Sequence, residues 1–320
     1  MSFLYTIRSG KNPKFIYFAK NFTRYIIPKF FFRARLETQI RKALKRKDYE
    51  YIRERADYYN KLSSTIPLPD NAPLLADHTY GKKERQSVYF FDTYEFTRWF
   101  PNSCKWFHHP GDITKIPPYP AIVKSRPIAG ENANSVLLNL DKVRHFIFLK
   151  DTIPFTKKMD KVIFRGKVGV KPGRKEFMEQ YFNHPMCDLG DVSKNAPTKW
   201  QTPKKTLYEH LNYKFIMALE GNDVASNLKW VMSSNSIAVM PRPTYETWFM
   251  EGKLIPNYHY IEIKPDYSDL EERLNYYIAH PEEAQQIINH AHEYIDQFRN
   301  QRREKLISLL VLKKYFDLTK

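Results

Sequence analysis

Residues 213–240 read YKFIMALEGNDVASNLKWVMSSNSIAVM. The run opens on KFIMALEGN (214–222), an apolar strand without polar alternation, and turns on Gly221. It enters a helical stretch from about 225 to 233 through small polar residues, then returns to a second apolar strand, SIAVMP (236–241). Short apolar runs separated by a helix mark parallel strands covered on both faces. The same rhythm continues outward. KVIFRG (161–166) precedes a helix from about 174 to 183, and YHYIEI (258–263) precedes helices near 268–279 and 281–298. The second half therefore reads as an α/β, Rossmann-like sheet. Ligands of such sheets sit at the carboxyl ends of strands, which directs attention to the loops after Ile163, Leu219, Met240 and Ile263.

Two of these loops carry candidate chemistry. Glu220-Gly221-Asn222-Asp223-Val224-Ala225-Ser226-Asn227-Leu228-Lys229 leaves a strand and starts a helix. Its free N–H groups and the helix dipole suit a diphosphate. The same residues also suit an ordinary turn capped by Asn222 or Asp223. Neither a Walker loop nor GxGxxG is present. Phe164-Arg165-Gly166 places a guanidinium at a strand end, followed by Lys167, Lys171 and Arg174. That guanidinium either forks onto a phosphate or pairs with an acid.

Toward the amino terminus the pattern loosens. Residues 34–60 are helical in composition, and 64–80 are irregular around Pro67, Pro69 and Pro73. SVYFFD (87–92) is expected as a strand and TYEFTRWF (93–100) as a short helix. A proline-rich stretch, 101–130, surrounds the strand AIVKS, and VLLNL and HFIFL read as strands or buried segments.

Composition sets outer bounds. With 42% hydrophobic and 27% charged residues over 320 positions, the chain is globular rather than disordered. A mean hydropathy of −0.60 and the lack of any long uncharged apolar run exclude a polytopic membrane protein. FLYTI (3–7) is broken by Arg8, Lys11 and Lys14, so no signal peptide is expected. Two cysteines, Cys104 and Cys187, frame neither a disulfide scaffold nor a zinc site, and a reducing cytoplasm is the expected home. The net charge of +17 is uneven: residues 1–47 carry +12 and the remainder +5. That basic segment interleaves cations with rings, KFIYFAKNFTRYIIPKFFFRAR (14–35). An anionic membrane surface suits it, as does single-stranded nucleic acid, and so does a helix packing its rings on the body.

FRG with the following GR, the EGND loop, SNS, YETWFMEG and YHYIEIKPDYSDLEERLNYY together resemble glycosyltransferase family 90 from about residue 87 to 300. Their wording is most similar to the bacterial lipopolysaccharide-core branch. The resemblance implies two Rossmann-like domains facing a cleft (GT-B type) and a metal-independent, inverting transfer. It implies a nucleotide-sugar donor, UDP-glucose or UDP-galactose, and no cofactor. Phe164, Arg165 and Gly166 match the family's motif beside the donor diphosphate, and Arg174 is similar to its second basic residue. Glu220-Gly221-Asn222 matches its Asp-Gly-Asn. Many eukaryotic relatives carry Arg where this chain has Asn227, which leaves Ser226 or Lys229 to reach the diphosphate. Glu246 resembles an acid holding donor sugar or ribose.

An inverting transfer needs a carboxylate to take the acceptor hydroxyl's proton. The resemblance points to Asp112 in His108-His109-Pro110-Gly111-Asp112-Ile113 as that base; the residue pattern alone reads as a turn aspartate after glycine. His109, Lys124 and Arg126 are the acceptor-side candidates, and adjacent histidines with no third spaced ligand make no metal site. Asn132 and Asn134 read as caps of the next element or as groups facing sugar hydroxyls. The expected organisation is a basic aromatic arm (1–47), an acceptor-side domain (48–158), a nucleotide-sugar domain (159–298) and a carboxyl-terminal helix (299–320). The acceptor is expected to be the lipopolysaccharide core, reached from the inner face of the cytoplasmic membrane through residues 1–33. A non-catalytic nucleic-acid- or glycolipid-binding protein and a protein O-glucosyltransferase are the alternatives. No RNA-recognition, homeodomain or zinc-finger signature supports nucleic acid, and the second lacks the cysteine density of a secreted enzyme.

Overall fold

A computed structural model describes residues 9–81, 87–169, 171–193 and 198–320; FLYTI and the start of the basic segment lie outside them. In chain order the main helices are α1 (Lys14–Ile26), α2 (Leu36–Leu44), α3 (Tyr49–Tyr59), α4 (Ser87–Thr97), α5 (Pro172–Tyr181), α6 (Leu228–Met232), α7 (Leu270–Ala279), α8 (Pro281–Asp296) and α9 (Gln301–Leu318). The strands are β1 (His108–His109), β2 (Ala121–Val123), β3 (Ser125–Pro127), β4 (Ser135–Leu137), β5 (Met159–Gly166), β6 (Cys187–Asp191), β7 (Tyr213–Met217), β8 (Ile237–Met240), β9 (Tyr245–Thr247) and β10 (Ile261–Glu262).

The chain divides into two compact units. One comprises 9–13, Arg144–Pro243 and Glu251–Gln297 and is built on a five-stranded sheet. The other comprises Lys14–Val143, Thr244–Met250 and Phe298–Lys320 and is richer in helix. Residues 144–158, expected with the first half, group with the five-stranded unit. Residues 244–250, expected in the nucleotide-sugar domain, and α9, expected as a separate carboxyl-terminal helix, group with the helix-rich unit.

The five-stranded sheet has the order β10-β8-β7-β5-β6, every pair parallel. Strand β5 goes first to β6 on one side, and the chain then continues to β7, β8 and β10 on the other. Direction of winding therefore reverses between β5 and β7, which is where doubly wound sheets bind ligands. All of β7 is buried, and Val162, Phe177, Phe215, Met217, Val239, Ile261 and Leu274 belong to one core covering the sheet. Proline at the first position starts α5 and α8, where a missing N–H costs nothing.

The helix-rich unit holds a three-stranded parallel sheet, β1-β2-β4, and an antiparallel pair, β3-β9. SVYFFD is not a strand: with TYEFT it forms α4. Tyr89 through Tyr94 are all buried, so this helix lacks the polar face that would have revealed its period. The expected 34–60 helix breaks between α2 and α3. HFIFL forms no strand: His145 ends a short helix (Lys142–His145), and alternate residues from it to Leu149 are buried.

Helix α1 packs one face on α4. Phe22 and Phe18 meet Phe91 at 4.8 and 6.0 Å between centroids, Tyr25 meets Tyr94 at 5.0 Å, and the Tyr17 hydroxyl donates to Asp92 at 2.8 Å. Other rings in the segment stay outside, with Phe15 82% and Phe30 60% exposed. Deeper in this unit Tyr59 stacks on Trp248 at 3.8 Å, and α9 lies along α3 with Glu304 paired to the buried Arg55.

Phe215→Ala, at the centre of β7, removes a fully enclosed ring that its neighbours cannot refill. Denaturant unfolding should show a loss of about 3–5 kcal/mol; a loss under about 1 kcal/mol would place the core elsewhere.

Candidate active site

The ends of β5 and β7 meet at the switch point, and their side chains explain the Phe-Arg-Gly spelling. Residues two apart on a strand share a face. The Phe164 ring accordingly lies across position 166, where an added Cβ would stand 2.6 Å from its Cζ. Only glycine leaves that ring its place. On its far side the ring meets Phe177 of α5 at 6.3 Å and the Arg174 guanidinium at 5.6 Å.

Arg174 joins the two loops. Its guanidinium donates to the Lys167 carbonyl after β5 (2.9 Å) and to the Leu219 (2.7 Å) and Glu220 (2.9 Å) carbonyls after β7. Burial lowers its affinity for the proton. Gly221 is pressed against it, since a Cβ there would approach Arg174 Nη2 to 3.1 Å. Lys171 donates to the Asn222 side chain at 2.8 Å. Sequence reasoning brought these residues together; the structure gives Arg174 a positioning task within the loops.

Arg165 faces away from the Phe164 ring. It pairs with Asp188 on β6, donates to the Asp188 carbonyl at 2.8 Å, and its side chain is 7% exposed. The ion-pair alternative left open by the sequence is thus the one observed. Its Nε is buried without a hydrogen-bond partner. Asp188 also accepts from Tyr213. Burial raises the Asp188 carboxyl, but hydrogen bonds from Tyr213 and Arg165 outweigh it and hold the group below the usual carboxylate range. Asp188 and Tyr213 were not visible as partners because the register that sets β6 beside β5 is not written in either strand alone.

The helix expected from about residue 225 begins at Leu228 and is one short turn, so the preceding residues form turns and not a long dipole. Neither Asn222 nor Asp223 caps it: its cap position is Asn227, whose side chain makes no capping bond and donates to the Met217 carbonyl at 2.8 Å. Ser226 is exposed. Lys229 is fully buried against Glu251 at 2.5 Å.

Glu246 belongs to the second unit. It lies in the helix-rich unit on β9, opposite Arg126 on β3, and accepts from Arg126 Nε at 2.8 Å and from the Tyr58 hydroxyl. Arg126, 0% exposed, also donates to the carbonyls of Tyr58 (2.7 Å), Tyr59 (3.2 Å) and Ser135 (3.1 Å). Its fork therefore closes the carboxyl end of α3, where a cation is favoured. In the same unit Asp112 follows Gly111, whose φ of 107° suits glycine alone. Its carboxylate, a quarter exposed, is held by the buried Lys124 ammonium. The Ile113 N–H donates to Ser125 Oγ at 3.2 Å, tying the turn to β3. His109 is half-buried on β1, and burial with neighbouring His108 lowers its proton affinity. Asn132 and Asn134 bridge proline-loop carbonyls and do not cap a helix.

Gly166→Ala should cost about 1–3 kcal/mol through overpacking. Adding Phe164→Leu in the same chain should recover part of that loss, read by denaturant melts of both. No recovery would mean the ring is not the obstacle.

The sequence profile of the family described as Glycosyl transferase family 90 matches residues 137–319. The chain is 40% identical over 268 residues to a protein of Dichelobacter nodosus named O-glucosyltransferase LpsA, covering 83% of each. The protein is a glycosyltransferase, and the chain belongs to glycosyl transferase family 90.

Proposed function

We propose that the protein transfers glucose from UDP-glucose to a hydroxyl of the lipopolysaccharide core, with inversion at the anomeric carbon and without a metal ion. The observation that carries the donor assignment is the pairing of Phe164-Arg165-Gly166 with Leu219–Asn222 at the switch point of a parallel sheet, tied by Arg174. The name of the Dichelobacter relative favours glucose over galactose. The likeness of the EGND and YETWFMEG wording to lipopolysaccharide enzymes favours the core as acceptor.

In this reading Asp112 accepts the proton of the attacking hydroxyl, and Lys124 holds its carboxylate in one orientation. The acceptor oxygen bonds to the anomeric carbon as the bond to the diphosphate oxygen breaks. Negative charge then gathers on the departing nucleotide, and Lys171, beside Asn222, supplies positive potential there. Ser226 offers an exposed hydroxyl to the same group. Arg126 and Glu246 support the acceptor side from beneath. Peripheral attachment to the cytoplasmic membrane fits the basic segment, whose exposed Phe15, Ile16, Ile26 and Phe30 stand among lysines and arginines. Among the described residues no helix is long and apolar enough to cross a bilayer.

Asp112→Asn keeps the shape of the turn but removes the proton acceptor. Turnover should fall roughly 10²–10⁴-fold with donor affinity little changed. Near-normal turnover would move the base elsewhere.

Lys171→Ala should weaken UDP-glucose binding and slow transfer together, because one cation serves ground state and departing diphosphate alike. A panel of UDP- and GDP-sugars with truncated core oligosaccharide, read by mass, identifies the donor. Activity lost in EDTA and restored by manganese would overturn the metal-free mechanism.

A further inference from the structure

Between α1, α2, α4 and the start of α9 lies a cavity of about 570 Å³ that the transfer chemistry does not use. Four cations line it: Arg24, Arg35, Arg98 and Lys305. Its one carboxylate, Glu95, is shared between Arg24 at 2.9 Å and Lys142 at 2.6 Å. Burial would raise the Glu95 carboxyl, but Lys142 and Arg24 outweigh it and bring it down to about 2. The cavity thus keeps a positive excess at any ordinary pH.

Arg98 is the most buried of the four cations. It is 7% exposed, stacks over Phe32 at 3.7 Å and donates to the Arg24 carbonyl at 2.9 Å. Its Nε is buried without a partner. Burial, and then the charge of Arg24, lower it to about 10. Lys305 lies 4.2 Å over the Trp99 ring, and burial with Arg98 lowers it too. Buried cations are ordinarily matched by anions, and a group with more than one negative charge fits four cations best. The rim adds a second constraint. Ile27 and Phe31 also line the cavity and are 38% and 47% exposed, with Ile26 and Phe30 more exposed still on the same segment. A free inorganic anion has no use for that apolar border, whereas a phosphate carried on hydrocarbon does.

We infer that this cavity is a specific site for the phosphate monoester headgroup of a membrane lipid, seated among Arg24, Arg35, Arg98 and Lys305 while its chains lie over Ile27 and Phe31. The inference rests on the membrane reading of the basic segment and narrows it from a general charge attraction to a recognised headgroup. Arginine forks suit the three oxygens of a monoester better than the two of a diester.

The test is sedimentation of the full chain with vesicles of neutral phosphatidylcholine containing either phosphatidic acid or phosphatidylglycerol, matched for surface charge. The intact protein should bind the phosphatidic acid vesicles at least several-fold more tightly, and 50 mM inorganic phosphate should erode that preference more than an equal ionic strength of chloride. Arg35→Gln with Lys305→Gln, both at the mouth and neither in the transfer machinery, should abolish the preference while leaving transfer to soluble, delipidated core unchanged. Arg98→Lys, which keeps the charge but loses the fork, should reduce it. Equal binding to both vesicles overturns the headgroup site yet leaves the membrane reading standing; no binding to either overturns both. A preference that survives the double substitution places the headgroup elsewhere and also overturns the inference.

Discussion

Two loops at a switch point diverge by construction, because the strands that feed them are wound in opposite directions. Among the described residues no backbone hydrogen bond joins them, and the Arg174 fork does. Each of the three carbonyls it engages sits just past a strand end, where the ladder has stopped supplying donors. The rest of the packing at the switch point follows from that placement. Gly221 must be small to lie against the guanidinium, Phe164 must be flat to lie under it, and Gly166 must lack a side chain to admit Phe164. The helix-rich unit solves the same problem with Arg126, which serves carbonyls from α3 and from Ser135 of β4 while anchored by Glu246. In both places one rigid cation with several donors does what a run of backbone pairing does elsewhere.

Much of the five-stranded unit was legible in the sequence. Continuous apolar runs such as YKFIM and SIAVM have only one comfortable environment, a strand covered on both sides, and their loops fall at one edge by the rule of parallel winding. Phe164, Arg165, Gly166, Arg174, Gly221 and Asn222 are found together for that reason. The helix-rich unit was harder. SVYFFDTYEFT is apolar on every side, so neither a period of two nor one of 3.6 shows, and burial all round made it a helix. Glu246 was assigned by its neighbours in sequence, yet residues 244–250 belong to the other unit. Long-range partners such as Asp188 for Arg165 depend on strand register, a property of two segments at once.

The basic segment packs some of its rings and exposes others. Tyr17, Phe18 and Tyr25 are packed against α4, so the helix is part of the body. Phe15, Ile16, Ile26 and Phe30 face outward on the same stretch. A helix anchored on one side by stacked rings presents its other side without fraying, which a free arm of the same composition would not do.

The helix-rich unit is assembled from three separate stretches, with residues 298–320 closing it. Arg55 meets Glu304 across a sequence separation of 249, and that pair lies beside the stacked Tyr59 and Trp248. During synthesis α3 therefore leaves the ribosome long before its carboxylate partner exists. The five-stranded unit has all of its strands by residue 262 and is free to collapse first. The buried guanidinium of Arg55 must wait in water, and the high contact order of its pairing makes this unit the slower to form. A chain interrupted before residue 298 would carry a finished sheet and an amino-terminal half with its apolar helices uncovered, a natural substrate for chaperones and proteases.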